Sequence, residues 1–153
     1  MLRHAFYRWR SGIYLWLGIA VFALVILPRI GDVVIGYLKP TTGCSITAIV
    51  DGDTISIDCE NADETRARII GLDTPELASE CFDEWILAQR AKWFLRWRIW
   101  SANHIETQTQ GRDKYRRQLV RVKIDGTDIA TSMINARLAR PYDGGRRAGW
   151  CDN

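Results

Sequence analysis

Two short stretches of this 153-residue chain carry the side chains best suited to chemistry on a charged substrate. One is Val50-Asp51-Gly52-Asp53-Thr54; the other is Asp73-Thr74-Pro75-Glu76, with Arg68 five residues ahead of Asp73. Carboxylates drawn from separate segments hold a hard cation through oxygen, and a guanidinium beside them neutralises charge on a phosphate. Metal-assisted phosphodiester cleavage needs both. Taken singly the stretches say little. Asp-Gly-Asp is a turn signal before it is a metal motif, and it lacks the further acids and closing glutamate of an EF-hand loop. A lone arginine is more often half of a surface ion pair.

The distribution of charge sharpens this reading. The chain carries a net +3, but Met1 to Lys39 accounts for +4 of it, through Arg3, Arg8, Arg10, Arg29 and Lys39 against Asp32, so the remainder sums to −1. Bulk basicity therefore gives no support to nucleic-acid binding by the rest of the chain. Local contrast does: Asp51 to Gln89 holds eleven acids against Arg66 and Arg68, a net −9, and Arg90 to Lys123 holds ten bases against Glu106 and Asp113, a net +8.

A length of 153 residues, 47% hydrophobic and 25% charged, suits one ordinary domain and excludes a disordered or collagen-like chain. The elements that must position the acids begin after a turn-rich linker at residues 31–43. Asp51-Gly52 between the runs 45–50 and 54–58 is a type I′ hairpin signal, which sets Val50 opposite Asp53, Ala48 opposite Ile55, Ile46 opposite Ile57 and Cys44 opposite Cys59. Asn61-Ala62-Asp63 reads as a turn and residues 65–72 as a third strand, stopped by Pro75. Residues 81–97 lack proline and glycine, and Cys81, Trp85, Ala88, Ala91 or Lys92, and Leu95 recur at helical spacing. The tryptophans Trp85, Trp93, Trp97 and Trp100 fit core or membrane-facing packing better than a base-stacking surface. Strands at 104–108 and 118–124, a turn at Asp125-Gly126, and a short helix at 129–135 capped by Asp128 complete the set. Five strands, with a helix after the third and another after the fifth, predict an α+β fold built on a small, partly open barrel.

Residues 12–27 carry no charge and follow the basic residues of 1–11. This is a membrane-directed segment, assigned to residues 12–30, although a run of 16 is short against the ~20 residues a bilayer core asks for. An uncleaved anchor is favoured over a cleaved signal peptide, since no small-x-small site follows Leu27. The basic start places the N-terminus in the cytoplasm and the domain, residues 44–153, outside it. Export makes disulfides available to Cys44, Cys59, Cys81 and Cys151. The hairpin register favours Cys44–Cys59 and leaves Cys81 with Cys151; four unbridged thiols are the alternative. Without a C-x-x-C spacing, structural zinc has little support.

In combination, these stretches resemble the staphylococcal nuclease (thermonuclease) family. The resemblance rests on Val50-Asp51-Gly52-Asp53-Thr54, Ala67-Arg68-Ile69-Ile70-Gly71-Leu72-Asp73-Thr74-Pro75-Glu76, Asp113-Lys114-Tyr115-Arg116-Arg117 and Leu138-Ala139-Arg140, in this order. It implies a five-stranded OB-type barrel with flanking helices and a calcium-dependent endonuclease that cuts DNA or RNA to 3′-phosphate products. It further implies that Asp53, Asp73 and the Thr74 carbonyl hold Ca2+, that Glu76 acts on the attacking water, that Arg68 and Arg117 grip the scissile phosphate, and that Tyr115 and Tyr142 pack near the nucleotide.

Two positions depart from the family pattern: Arg116 and Arg137 stand where glycine is usual. Non-glycine residues there are strained if the backbone keeps a positive φ, and Arg117 is then aimed differently. The alternative function is a nucleic-acid-binding or interaction module on the same barrel, impaired in catalysis. The Cys81 position and the Gly-Arg-Arg…Trp-Cys ending look like an exported bacterial subgroup, which favours Cys81–Cys151. The expected setting is a monomer, single-pass in a bacterial inner membrane with the nuclease domain periplasmic, or alternatively secreted after cleavage.

Overall fold

Isoleucine and valine alternating with polar side chains lay out the sheet, and a helix packs Ala91, Leu95 and Ile99 into the same core. The computed structural model describes residues 2–60 and 62–151. Two units are distinguished, Met1–Gly31 and Asp32–Asn153. The first is helical: α1 (Leu2–Leu38) begins in it, with Tyr14, Leu15, Trp16 and Phe22 among its exposed apolar side chains. The apolar stretch Ile13–Leu38 is 26 residues long. The part within the first unit, 13–31, is 19 residues long, about 28 Å at about 1.5 Å rise per residue, close to the ~30 Å of a bilayer core.

Pro28 does not end α1, and the residues expected as a linker are helical as far as Leu38. Tertiary contacts explain the difference. Asp32 is buried in the second unit, where its carboxylate accepts both Arg96 Nε and Nη2 at 2.9 Å, Trp100 Nε1 at 3.1 Å and the Ile49 amide at 3.3 Å.

The strands are β1 (Thr41–Thr42), β2 (Ser45–Ile49), β3 (Thr54–Cys59), β4 (Ala62–Ile69), β5 (Gly71–Asp73), β6 (Ile105–Arg112), β7 (Gln118–Ile124), β8 (Thr127–Asp128) and β9 (Arg140–Tyr142). The main sheet runs β1-β6-β7-β4-β3-β2, with β8 on β7, while β5 and β9 pair separately. All its pairings are antiparallel except β1 with β6 and β4 with β7. The sheet curls into a half-barrel whose outer strands approach each other. There Thr107 Oγ1 accepts from the Cys44 amide at 2.6 Å and donates to its carbonyl at 2.9 Å. The five long strands, β2 to β4 with β6 and β7, form the OB-type arrangement, and the class is α+β. Ile46, Ile55, Ile57, Ile69, Val120 and Ile124 fill its interior.

Several local expectations change. In the first hairpin Ile46 opposes Ile57, but a bulge before Ala48 sets Ala48 opposite Ser56 and Ile49 opposite Ile55. The loop is no type I′ turn, because neither Asp51 nor Gly52 has a positive φ. The Asp51 carboxylate instead accepts the Asp53 amide at 3.0 Å, an Asx turn that widens the loop. Two consecutive left-handed residues occur at Asp125 (φ 50) and Gly126 (φ 78), between β7 and β8. The expected third strand divides: β4 ends at Ile69, and β5 leaves the main sheet to pair with β9. Asn61, in the expected turn 61–63, lies outside the described residues, and Ala62 already belongs to β4.

Helix α2 (Phe82–Ser101) buries Glu84, Ala88, Ala91, Leu95, Arg96 and Ile99. Trp85 is therefore off the inner face. Trp85, Trp93 and Trp97 are exposed and Trp100 is half-buried against the core, so core packing accounts for Trp100 and not for the other three. Helix α3 (Ile129–Asn135) is capped by Asp128, whose side chain accepts the Ala130 amide at 2.9 Å. Disulfides join Cys44 to Cys59 and Cys81 to Cys151.

Candidate active site

The loop after β2 turns Asp53 inward. The Asp53 carbonyl accepts the Ile69 amide at 2.8 Å, and Thr54 Oγ1 donates to Asp53 Oδ1 at 2.9 Å. Gly52 allows this loop to lie on the next elements, because a Cβ there would sit 2.9 Å from Thr74 Oγ1 and 3.0 Å from Ala91 Cβ. Across the ladder Arg68 on β4 pairs with Thr54, which carries its guanidinium to Asp53. The contact is 2.7 Å, with Asp73 at 3.6 Å, and all three side chains are buried. Asp73 closes β5, opposite Arg140 of β9. Glu76 follows the Pro75 stop, half-exposed, and its amide donates to the buried Glu84 carboxylate at 3.1 Å.

Burial dominates at Asp53. It pushes this carboxyl up from 3.8 to about 7, with Asp51 adding to the rise and Arg68, Thr54 and Arg147 opposing it. Asp73 Oδ1 is buried and accepts no hydrogen bond, although guanidiniums lie close to it. Two buried carboxylates and the backbone at Thr74 give an all-oxygen donor set that suits a hard divalent cation.

A cleft of about 900 Å³ opens over Asp53, while Asp73 and Thr74 line a neighbouring pocket of about 350 Å³ that shares Glu76 and Arg147 with it. The cleft wall includes Asp51, Asp53, Arg68, Glu76, Tyr115, Arg117, Tyr142 and Arg147. The structure thus brings together Asp53, Asp73, Thr74, Arg68 and Glu76, with Arg117 and Tyr142 facing the same space. Arg117 Nε donates to Asp113 Oδ2 at 2.8 Å, and Arg117 Cζ lies 5.6 Å from the centroid of the exposed Tyr115 ring. Desolvation favours the neutral form of Asp113, but hydrogen bonds from the Arg117 side chain and the Arg117 and Tyr115 amides hold its carboxyl below the ordinary value. Arg68 stands 5.7 Å from the Tyr142 ring centroid, and the Tyr142 hydroxyl donates to the Gly145 carbonyl at 2.8 Å.

A family model described as staphylococcal nuclease homologue matches residues 66–148, more than half of the chain. The chain belongs to the staphylococcal nuclease family. No curated protein matches it. The family match takes in Arg68, Asp73, Thr74, Glu76, Tyr115, Arg117 and Tyr142, and begins after Asp53. In this staphylococcal nuclease homologue both departures from glycine keep the left-handed backbone, Arg116 at φ 66 and Arg137 at φ 58. Arg116 therefore stores strain immediately before Arg117.

Three site neighbours were not legible in the sequence of this nuclease homologue. Glu84, in the first turn of α2, accepts the Glu76 amide and fixes its backbone. Arg147 reaches Asp53 at 3.4 Å, Asp73 at 2.9 Å and Glu76. Burial works against its charge, yet Asp73, Asp53 and Glu76 together raise its pKa. Trp150 Nε1 donates to Asp73 Oδ2 at 3.3 Å. For Arg147 and Trp150 the sequence signal is a basic, glycine-containing tail that reaches Trp150-Cys151.

Proposed function

We propose that this nuclease-family protein is a calcium-dependent endonuclease that hydrolyses DNA or RNA to 3′-phosphate products. The observation that carries the reading is the buried cluster of Asp53, Asp73 and Arg68, with Glu76 on the wall of the adjacent cleft. The staphylococcal nuclease family is generally calcium-dependent. Asp53 and Asp73, with the Thr74 carbonyl, would hold the ion; when bound it supplies positive charge that polarises a phosphoryl oxygen. Glu76 is the general base: half-exposed beside the cleft, its carboxylate orients a water and takes its proton. Arg68 neutralises charge building on the phosphoryl oxygens. Arg117 does the same from the opposite wall once its guanidinium exchanges Asp113 for phosphate, a bidentate task that suits arginine. Tyr115 and Tyr142 offer ring faces to the nucleotide.

The apolar stretch of α1 anchors the protein in a bacterial inner membrane as a single-pass monomer, with the basic N-terminus cytoplasmic. Two disulfides support a periplasmic domain, because such bridges persist in oxidising compartments. The strained Arg116 and the Asp113-held Arg117 support the second reading, a binding module impaired in catalysis.

Digestion of single-stranded DNA by the full chain in detergent micelles separates the two. Cleavage that needs calcium and is lost in Glu76→Gln is the expected result. Salt-sensitive binding without cleavage, at any calcium concentration, overturns the enzyme in favour of the module.

A further inference from the structure

Arg147 reaches the acids of the cleft from the far end of the chain, and a covalent tether holds it there. It lies four residues before Cys151, which is bonded to Cys81 at the N-cap of α2. The arm around it is fixed at further points. Arg140 lies 3.7 Å over the Trp150 ring and donates to the Gly149 carbonyl at 2.8 Å, while Trp150 itself donates to Asp73. The guanidinium so placed contacts Asp53, Asp73 and Glu76 at once.

A guanidinium has donors only, and it satisfies them with the same carboxylate lone pairs that a hard cation coordinates. An oxygen of Asp73 held 2.9 Å from Arg147 Nε must give up that contact to bind a metal directly. Arg68 differs, because it approaches Asp53 from within the sheet on a rigid strand, whereas Arg147 rides on a loop with Gly144 and Gly145 at its base.

We propose that Arg147 is a further site residue: an internal cation that competes with the metal for Asp53 and Asp73. The Cys81–Cys151 bridge sets the strength of that competition. Tethering keeps the guanidinium at high effective concentration over the acids, so the competition persists at any protein concentration and weakens when the bridge is opened. The inference rests on the reading that these acids take calcium.

Calorimetric titration of calcium into the full chain in detergent, without nucleic acid, tests it. Arg147→Gln is expected to bind calcium about tenfold more tightly, the scale of a close charge pair with the carboxylates buried. The same variant lowers the melting midpoint in a chelator and enlarges the shift that calcium produces. Cys81→Ser/Cys151→Ser moves the affinity in the same direction, and adds nothing to Arg147→Gln. An unchanged or weaker calcium Kd in Arg147→Gln, with calcium binding intact in the parent, overturns the competition alone. Absence of calcium binding in both chains removes the calcium reading and the competition together.

Discussion

Arg68 lies 2.7 Å from Asp53 and 3.6 Å from Asp73, so one buried guanidinium sits between two buried carboxylates, one from the loop after β2 and one from the end of β5. The proposed phosphate ligand is therefore also a counter-charge for the proposed metal ligands. Arg68→Ala is expected to cost about 3 kcal/mol of stability without metal, as removing one partner of a buried pair does. It should also lower turnover by about 10²- to 10³-fold. Denaturant unfolding and initial rates at saturating calcium measure the two effects; loss of rate without loss of stability would contradict the shared role.

Asp53 makes the metal-free chain sensitive to pH. Its folded pKa of about 7 lies above the ordinary 3.8, so folding favours the protonated carboxyl. The associated stability is fully present below about pH 4 and is lost as pH rises to about 7. Melting in the presence of a chelator should show this decline, and Asp53→Asn should flatten it. Calcium needs the ionised carboxylate, so its binding at pH 6 should release a proton. Titration in two buffers of different ionisation enthalpy detects that proton.

Arg116 at φ 66 occupies backbone that glycine adopts without a Cβ penalty. Arg116→Gly should gain about 1 kcal/mol in stability and keep or raise turnover. Arg117→Ala should lose nearly all turnover. If Arg116→Gly abolishes activity, the loop owes its working shape to the arginine.

Asp32 belongs with the nuclease unit, although it lies in the same helix as the apolar stretch. A fragment of residues 32–153 should melt more than about 10 °C above one of residues 40–153. Without Asp32 the buried Arg96 is left unpaired, at a cost of about 3–5 kcal/mol. Asp32→Asn in the longer fragment isolates the charge. Equal melting of both fragments would place the domain start at Pro40.

Spacing along the chain was sufficient for the features whose causes are local. The Asp128 cap with helix 129–135 and the Gln118–Ile124 strand depend on side chains within a few residues of each other. The family motifs pointed to Asp53, Arg68, Asp73 and Glu76 because each motif is a contiguous string. Contacts between distant segments followed different rules. Whether helix 2–38 ended at Pro28 was decided by Asp32 meeting Arg96, 64 residues away. The first hairpin lost its type I′ turn to an Asx contact and a bulge. Arg147 entered the site across 71 residues from Glu76, carried by a disulfide arm. Backbone hydrogen bonds and helical or alternating periodicity are short-range and leave a repeating mark in sequence. Ion pairs buried by folding leave none, because their partners become neighbours only after the sheet curls and the tail is fastened to α2.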